Sequence, residues 1–168
     1  MRLTRFVATI YLIALIGCDS GTGPAQRTDF AIYLLKDSKL TAAQVWSQAL
    51  ESLGLADSPF IASSDLKSYN WQTHEFSVSA TVDSQLVAFR RTLGPTGGIP
   101  FVVVVATERI YLGAFWYGYS SMICQVPFID AIGNPHRINK CESVLVSEDK
   151  RIDPRIYRSL KGAGILIE

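Results

Sequence analysis

The chain is poor in most residues that announce a chemistry. Its 168 residues include two histidines, three cysteines and two methionines, and its formal net charge is +1. A balance so close to neutral leaves no electrostatic footprint for nucleic acid. With 48% hydrophobic and 18% charged residues it also lacks the low-hydropathy, charge-rich composition of a disordered chain. There is no internal repeat, and no serine sits in a G-x-S-x-G elbow. The pair Gly97-Gly98 has no helix start after it, so it is not a phosphate-binding loop. Nothing singles out a pair of carboxylates for glycosidase work, and no motif asks for a cofactor. Long apolar runs are missing too. Residues 6–17 give twelve apolar positions with one Thr, and twelve helical residues span about 18 Å against a hydrocarbon core of about 30 Å. That run falls well short of a permanent membrane span.

What is there begins with the leader. Arg2 and Arg5 precede the apolar run, which fits a secretory signal peptide over 1–17. Its end, Leu15-Ile16-Gly17-Cys18, resembles the lipobox of bacterial lipoproteins. By that resemblance Cys18 is diacylated, freed by cleavage and left as the mature N-terminus. An ordinary signal peptide with a chance cysteine, or an uncleaved anchor, are the alternatives. Two acyl chains anchor stably where one is marginal, since each buried CH₂ contributes about 0.8 kcal/mol. Cleavage leaves 151 residues, a one-domain length, with 14 basic and 15 acidic side chains once Arg2 and Arg5 are gone. Asp19 resembles the inner-membrane retention signal of enterobacterial lipoproteins. Residues 19–29 (DSGTGPAQRTD) are small, polar and Gly/Pro-containing, a flexible tether of roughly 18 Å that keeps the domain near the bilayer.

Residues 30–168 form the domain. Strand patterning runs over 29–36, with Phe30, Ile32 and Leu34 on one face. Thr41 with Gln44 makes a capping box, opening a helix through Val45, Trp46, Ala49, Leu50 and Leu53 that Gly54 ends in a left-handed conformation. Ser64 and Asp65 start one short helical turn. Phe76, Val78, Ala80 and Val82 alternate with polar residues as a half-buried strand. Asp83 caps a second helix carrying Leu86, Phe89 and Leu93, closed by Gly94-Pro95. The run 100–105 (PFVVVV) has no polar face and reads as a central strand covered on both sides, with Ala106–Arg109 turning into a strand at 110–119. Further strands are expected near 122–129 and 143–147, with a loop at Gly133–His136. Asp153 and Pro154 open a last helix that Gly162 closes before the strand 165–168. The expected fold class is α+β, a mostly antiparallel or mixed sheet of about seven strands with about three helices packed on it.

Cys124 and Cys141 are the cysteines left after Cys18. In an oxidising compartment they pair, which closes an 18-residue loop and contributes about 3 kcal/mol in the chain-entropy model. Free buried thiols are one alternative. A metal site from Cys124, His136 and Cys141 is another, although its spacing fits no familiar finger and a structural zinc wants a fourth ligand. His74, before Glu75, pins the turn into a strand or, less simply, acts as a general base. Lys150, Arg151, Arg155, Arg158 and Lys161 gather near the last helix, either as a solvated face or as a weak contact for anionic lipid.

The strand at 110–119 carries the sharpest candidate site. Ile110, Leu112, Ala114 and Trp116 share one face, and Tyr111, Gly113, Phe115, Tyr117 and Tyr119 the other. If both faces are covered, the aromatic row is a second core layer. If one face is open, Tyr111, Phe115, Tyr117 and Tyr119 form a ligand-binding ledge with a notch at Gly113.

Four segments, FAIYLLKD, SYNWQTHEF, IPFVVVVATERIYLGAFW and DPRIYRSLKGAGILIE, resemble a group of uncharacterised small bacterial lipoproteins, and residues 118–150 resemble it least. The resemblance implies an extracytoplasmic, lipid-anchored protein of the cell envelope and carries no catalytic residue. The expected function is a membrane-tethered, non-enzymatic module for a protein, peptide or glycan ligand, with no cofactor; the alternative is an envelope hydrolase.

Overall fold

A computed structural model of the chain describes residues 29–90, 97–116, 120, 122–130, 135–141 and 148–168. Among these residues three helices and nine strands build an α+β fold on one mixed, curled sheet. The strands are β1 (Phe30–Leu34), β2 (Ile61–Ala62), β3 (Leu66–Asn70), β4 (Glu75–Val78), β5 (Ile99–Val105), β6 (Glu108–Trp116), β7 (Phe128–Asp130), β8 (His136–Asn139) and β9 (Leu166–Ile167). Their order is β2-β1-β5-β6-β7-β8-β4-β3-β9, with β6/β7 and β3/β9 parallel and the other pairs antiparallel. β2 and β3 lie near opposite ends of that order, yet only a 3-10 turn at Ser63–Asp65 joins them. A connection that short brings the two ends of the sheet together, which is the geometric reason for the half-barrel curl.

β5 sits centrally between β1 and β6, and its alternate residues feed two cores. Phe101, Val103 and Val105 point into the curl. There they meet Phe30, Tyr69, Phe76 and Phe115, together with Val82 and Leu86 of α2 (Ala80–Arg90) and Ile156 and Leu160 of α3 (Pro154–Gly162). Val102 and Val104 face the second core, with Leu53, Leu112, Trp116 and Val45 of α1 (Ala42–Val45). The run without a polar face is therefore covered on both sides. No helix among the described residues is long and apolar enough to cross a membrane.

Several elements differ from the sequence reading. The sheet gains β2, β3 and β8, whose few apolar positions find their periodicity only in partners from distant parts of the chain. His136, expected in a loop, opens β8, and Ile129 pairs with Ile138. The capping box at Thr41 and Gln44 is present, but α1 stops at Val45. The chain must return to β1, where Lys36 N–H bonds the Gly54 carbonyl and Leu55 bridges Leu35. Arg109 Nη1 takes up the carbonyls of Leu50 and Leu53, so the broken helix leaves these acceptors satisfied. Gly54 is not left-handed.

The strand expected through Val82 ends at Val78. Ser79 N–H bonds the Asp65 carbonyl, and the Ser79 hydroxyl and carbonyl then accept from the N–H groups of Val82 and Asp83. Ser79 thus starts α2 where Asp83 was expected to. At the C-terminus of α3 the left-handed residue is Gly164 instead of Gly162. Gly164 N–H bonds the Lys161 carbonyl and Ile165 N–H the Leu160 carbonyl, which is the Schellman pattern. Leu93, Gly94, Pro95 and the strand expected at 143–147 lie outside the described residues.

The β5–β6 hairpin turns on Ala106-Thr107 and carries a bulge, since Val104 pairs Arg109 while Val103 pairs Tyr111. The extra residue, Ile110, joins Tyr111 in the inner core instead of sharing a face with Leu112. Gly113 also proves to be no notch. A Cβ there would lie 2.3 Å from the Phe101 ring and 3.0 Å from the Pro127 carbonyl oxygen. Gly113→Ala is expected to destabilise the domain by about 1–3 kcal/mol through overpacking. A thermal melt checks this, and an unchanged melting temperature would contradict the packing.

Candidate functional site

A cleft of about 770 Å³ lies in the seam where the ends of the curled sheet meet. Phe30, Ala31 and Ala62 line one side and Leu66, Ala163 and Ile165 the other, with Asp29 and Thr107 at the rim. The main-chain bond from Ala106 N–H to the Asp29 carbonyl places the start of the domain at this mouth. Its lining mixes apolar side chains with the hydroxyls of Ser63, Ser64 and Thr107, and its titratable members are Asp29 and Tyr33.

A second cleft, about 260 Å³, has more character. β7 pairs with β6 only over Ala114–Trp116, so the first half of β6 has no neighbouring strand on that side among the described residues. Ile110, Tyr111 and Leu112 wall the gap from β6, and Leu50 and Trp46 from the segment after α1. Val126 and Pro127, just before β7, and Cys141, just after β8, close the far side. Trp46, expected in a buried helical stripe, is 47% exposed because α1 ends before it. Polar side chains stand round these walls: Gln48, Gln125, Lys140, Glu148, Asp149 and Lys150.

The far wall is held covalently. Cys124 and Cys141 form a disulfide with Cα atoms 5.8 Å apart, inside the usual range. It ties the chain entering β7 to the chain leaving β8. With both sulfurs bonded to each other, neither is a thiolate for the metal arrangement with His136.

Behind the cleft is a polar cluster. Arg151 grips Asp149 through Nε (2.9 Å) and Nη2 (2.6 Å) and donates from Nη1 to the Ile138 carbonyl at 2.9 Å. Those guanidinium bonds hold the Asp149 carboxyl below the usual carboxylate range. Tyr69 Oη and His74 Nδ1 are hydrogen-bonded at 3.0 Å within the inner core. Burial pushes the Tyr69 and Tyr111 phenols upward. Burial, followed by the positive charge of Arg151, pulls His74 down to about 4. His74 also shapes the β3–β4 turn. Its φ is 56°, its N–H bonds the Asn70 carbonyl, and its carbonyl accepts from Ile138 N–H. His136 Nε2 meets Asp83 Oδ1 at 2.8 Å and its ring stacks on Phe76. The two histidines are 4% and 7% exposed, and neither lines either cleft.

The sequence-nominated binding residues divide. Tyr111 and Phe115 are 4% and 2% exposed; Phe115 packs edge-on against Phe60, Phe89 and Phe101. At these two positions the aromatic row is a core layer, although Tyr111 also borders the second cleft. Tyr117, Tyr119 and Cys18 lie outside the described residues. The basic group near α3 is largely spent on ion pairs: Lys150 with Glu148, Arg151 with Asp149, Arg155 with Asp153 and Glu108, and Lys161 with Glu168. Trp46, Gln125 and Lys140 were not nominated from sequence. Nothing in their local pattern marks them, because the cleft joins segments about 80 and 15 residues apart. No protein-family model, curated protein or solved structure matches this chain.

The depressed His74 pKa sets a sign for acid sensitivity. The folded state binds fewer protons than the unfolded chain between pH 6.5 and about 4, so stability is complete above that window and falls as pH drops through it. The loss reaches up to roughly 3 kcal/mol. His74→Asn keeps a residue that tolerates positive φ and is expected to flatten the dependence across that window. Denaturant melts of both proteins at several pH values measure it, and parallel curves would exclude His74 as the cause.

Proposed function

We propose that this protein is a membrane-anchored, extracytoplasmic binding module: a lipid on Cys18, a short tether over 19–29, and a domain that holds a small ligand in the cleft along β6. The cleft carries the reading. Its described walls are aliphatic apart from the Trp46 indole and the edges of Tyr111 and Cys141, its rim is polar, and it lies along the stretch of β6 that β7 does not reach. Apolar walls with a few polar groups at the mouth are the usual make-up of a small-molecule site. The disulfide supports the oxidising side of a membrane. The leader residues Leu15-Ile16-Gly17-Cys18 supply the anchor. A hydrolase needs an acid, base or nucleophile that meets substrate, and both imidazoles are committed to Tyr69 and Asp83 inside the fold.

Labelling with radioactive palmitate tests the anchor. The wild type is expected to take up label, and Cys18→Ala to remain unlabelled, either uncleaved or soluble. An exported wild-type product without label ends the lipoprotein reading.

The neutral fluorophore N-phenyl-1-naphthylamine tests the cleft. Its affinity is expected to fall about fivefold in Trp46→Ala, a loss of roughly 1 kcal/mol, while the half-exposed position leaves the melting temperature nearly unchanged. Readings taken as the difference between the two proteins in one carrier detergent cancel partition into micelles. Equal signals would remove the cleft as a binding site.

A further inference from the structure

The chemistry of the second cleft goes further than its shape. It rests on the reading of that cleft as a binding site, and it concerns which ligands the site prefers. Two acids and two lysines stand at the rim, and both acids are engaged. Glu148 is paired with Lys150, and Asp149 is gripped by two nitrogens of Arg151. Lys140 carries no ion pair among the described residues. Continuing the β7–β8 register, in which Phe128 faces Asn139, sets Lys140 opposite Pro127 and two residues from Gln125. An ammonium and a primary amide, both donors, therefore border the same apolar slot from neighbouring positions.

Much of the remaining lining is aliphatic. Leu50, Ile110, Leu112 and Val126 provide branched hydrocarbon, with the Trp46 indole along one side. At about 260 Å³ the volume falls just below the roughly 300 Å³ at which drug-sized pockets begin. A single medium-length alkyl chain fits such a space.

We propose that the cleft takes a medium-chain carboxylate, with the alkyl tail against Leu50, Ile110, Leu112 and Val126 and the carboxylate at Lys140 and Gln125. The preference is electrostatic and local. A tail of the same length with a neutral head gains the apolar contact alone, and one with a cationic head meets Lys140 with like charge. Charge selection at a half-exposed rim weakens as salt rises.

Calorimetric titration of the full-length, disulfide-bonded protein with octanoate, octan-1-ol and octylammonium tests this, each referred to Trp46→Ala in the same carrier. Octanoate is expected to bind about fivefold more tightly than octanol, which corresponds to roughly 1 kcal/mol, and octylammonium most weakly. Lys140→Gln is expected to erase the difference between octanoate and octanol, and Lys140→Glu to favour octylammonium. Equal affinity for all three in the wild type overturns the carboxylate assignment and leaves the binding module standing. Absence of binding by all three, together with no N-phenyl-1-naphthylamine signal, overturns both. Retention of the octanoate preference in Lys140→Gln also overturns the assignment, because the head group would then be held elsewhere.

Discussion

A strand with no polar face must be covered twice, and in this protein that strand is β5. Phe101, Val103 and Val105 on one side and Val102 and Val104 on the other are all buried. The sheet therefore cannot present one face to water, as antiparallel sheets often do. The inner side is filled by α2, α3 and the aromatic residues of distant strands. The outer side is filled by α1 and the turn after it. Phe101 sets a tight tolerance, because its ring occupies the space where any side chain at position 113 would begin.

Double coverage also determines where an opening can exist. The two clefts described above both lie at discontinuities of strand pairing among the described residues. One is the seam where the curled sheet fails to close on itself, and the other is the stretch of β6 that β7 does not reach. The second discontinuity has a covalent border in Cys124–Cys141 and a charged one in Asp149–Arg151. Arg151 serves two regions at once. It neutralises an acid at the rim and donates to the Ile138 carbonyl on β8, and its charge reaches His74 in the inner core. The cleft border and the polar part of the core are thereby one electrostatic unit.

His74 illustrates how a buried polar residue is accommodated in such a core. Its imidazole has Tyr69 as a partner, its backbone takes a positive φ, and both its N–H and its carbonyl are bonded across the β3–β4 turn and to β8. A charged imidazole at that place would lose solvation beside a guanidinium. Neutrality is the condition under which three strands meet there.

Local signals were read well wherever the determinant was local. The double-sided strand 100–105, the capping box at Thr41, the Asp153-Pro154 helix start, the α+β class and the pairing of Cys124 with Cys141 follow from hydropathy period, cap chemistry and cysteine count. The failures share a cause. α1 is short because Gly54 is recruited by Lys36, β4 ends because Ser79 is held by Asp65, and Ile110 changes face because Val103 and Val104 impose a bulge. β2, β3 and β8 exist because partners far along the chain supply the hydrogen bonds and apolar contacts that their own few hydrophobic residues cannot. The candidate site belongs with these. Alternation nominated Tyr111 and Phe115, but it could not say that the face they share is closed, or that Trp46, Gln125 and Lys140 border a stretch of the same strand that β7 does not reach. Periodicity along a chain specifies which side of a strand a residue occupies; what stands on that side is decided by long-range pairing.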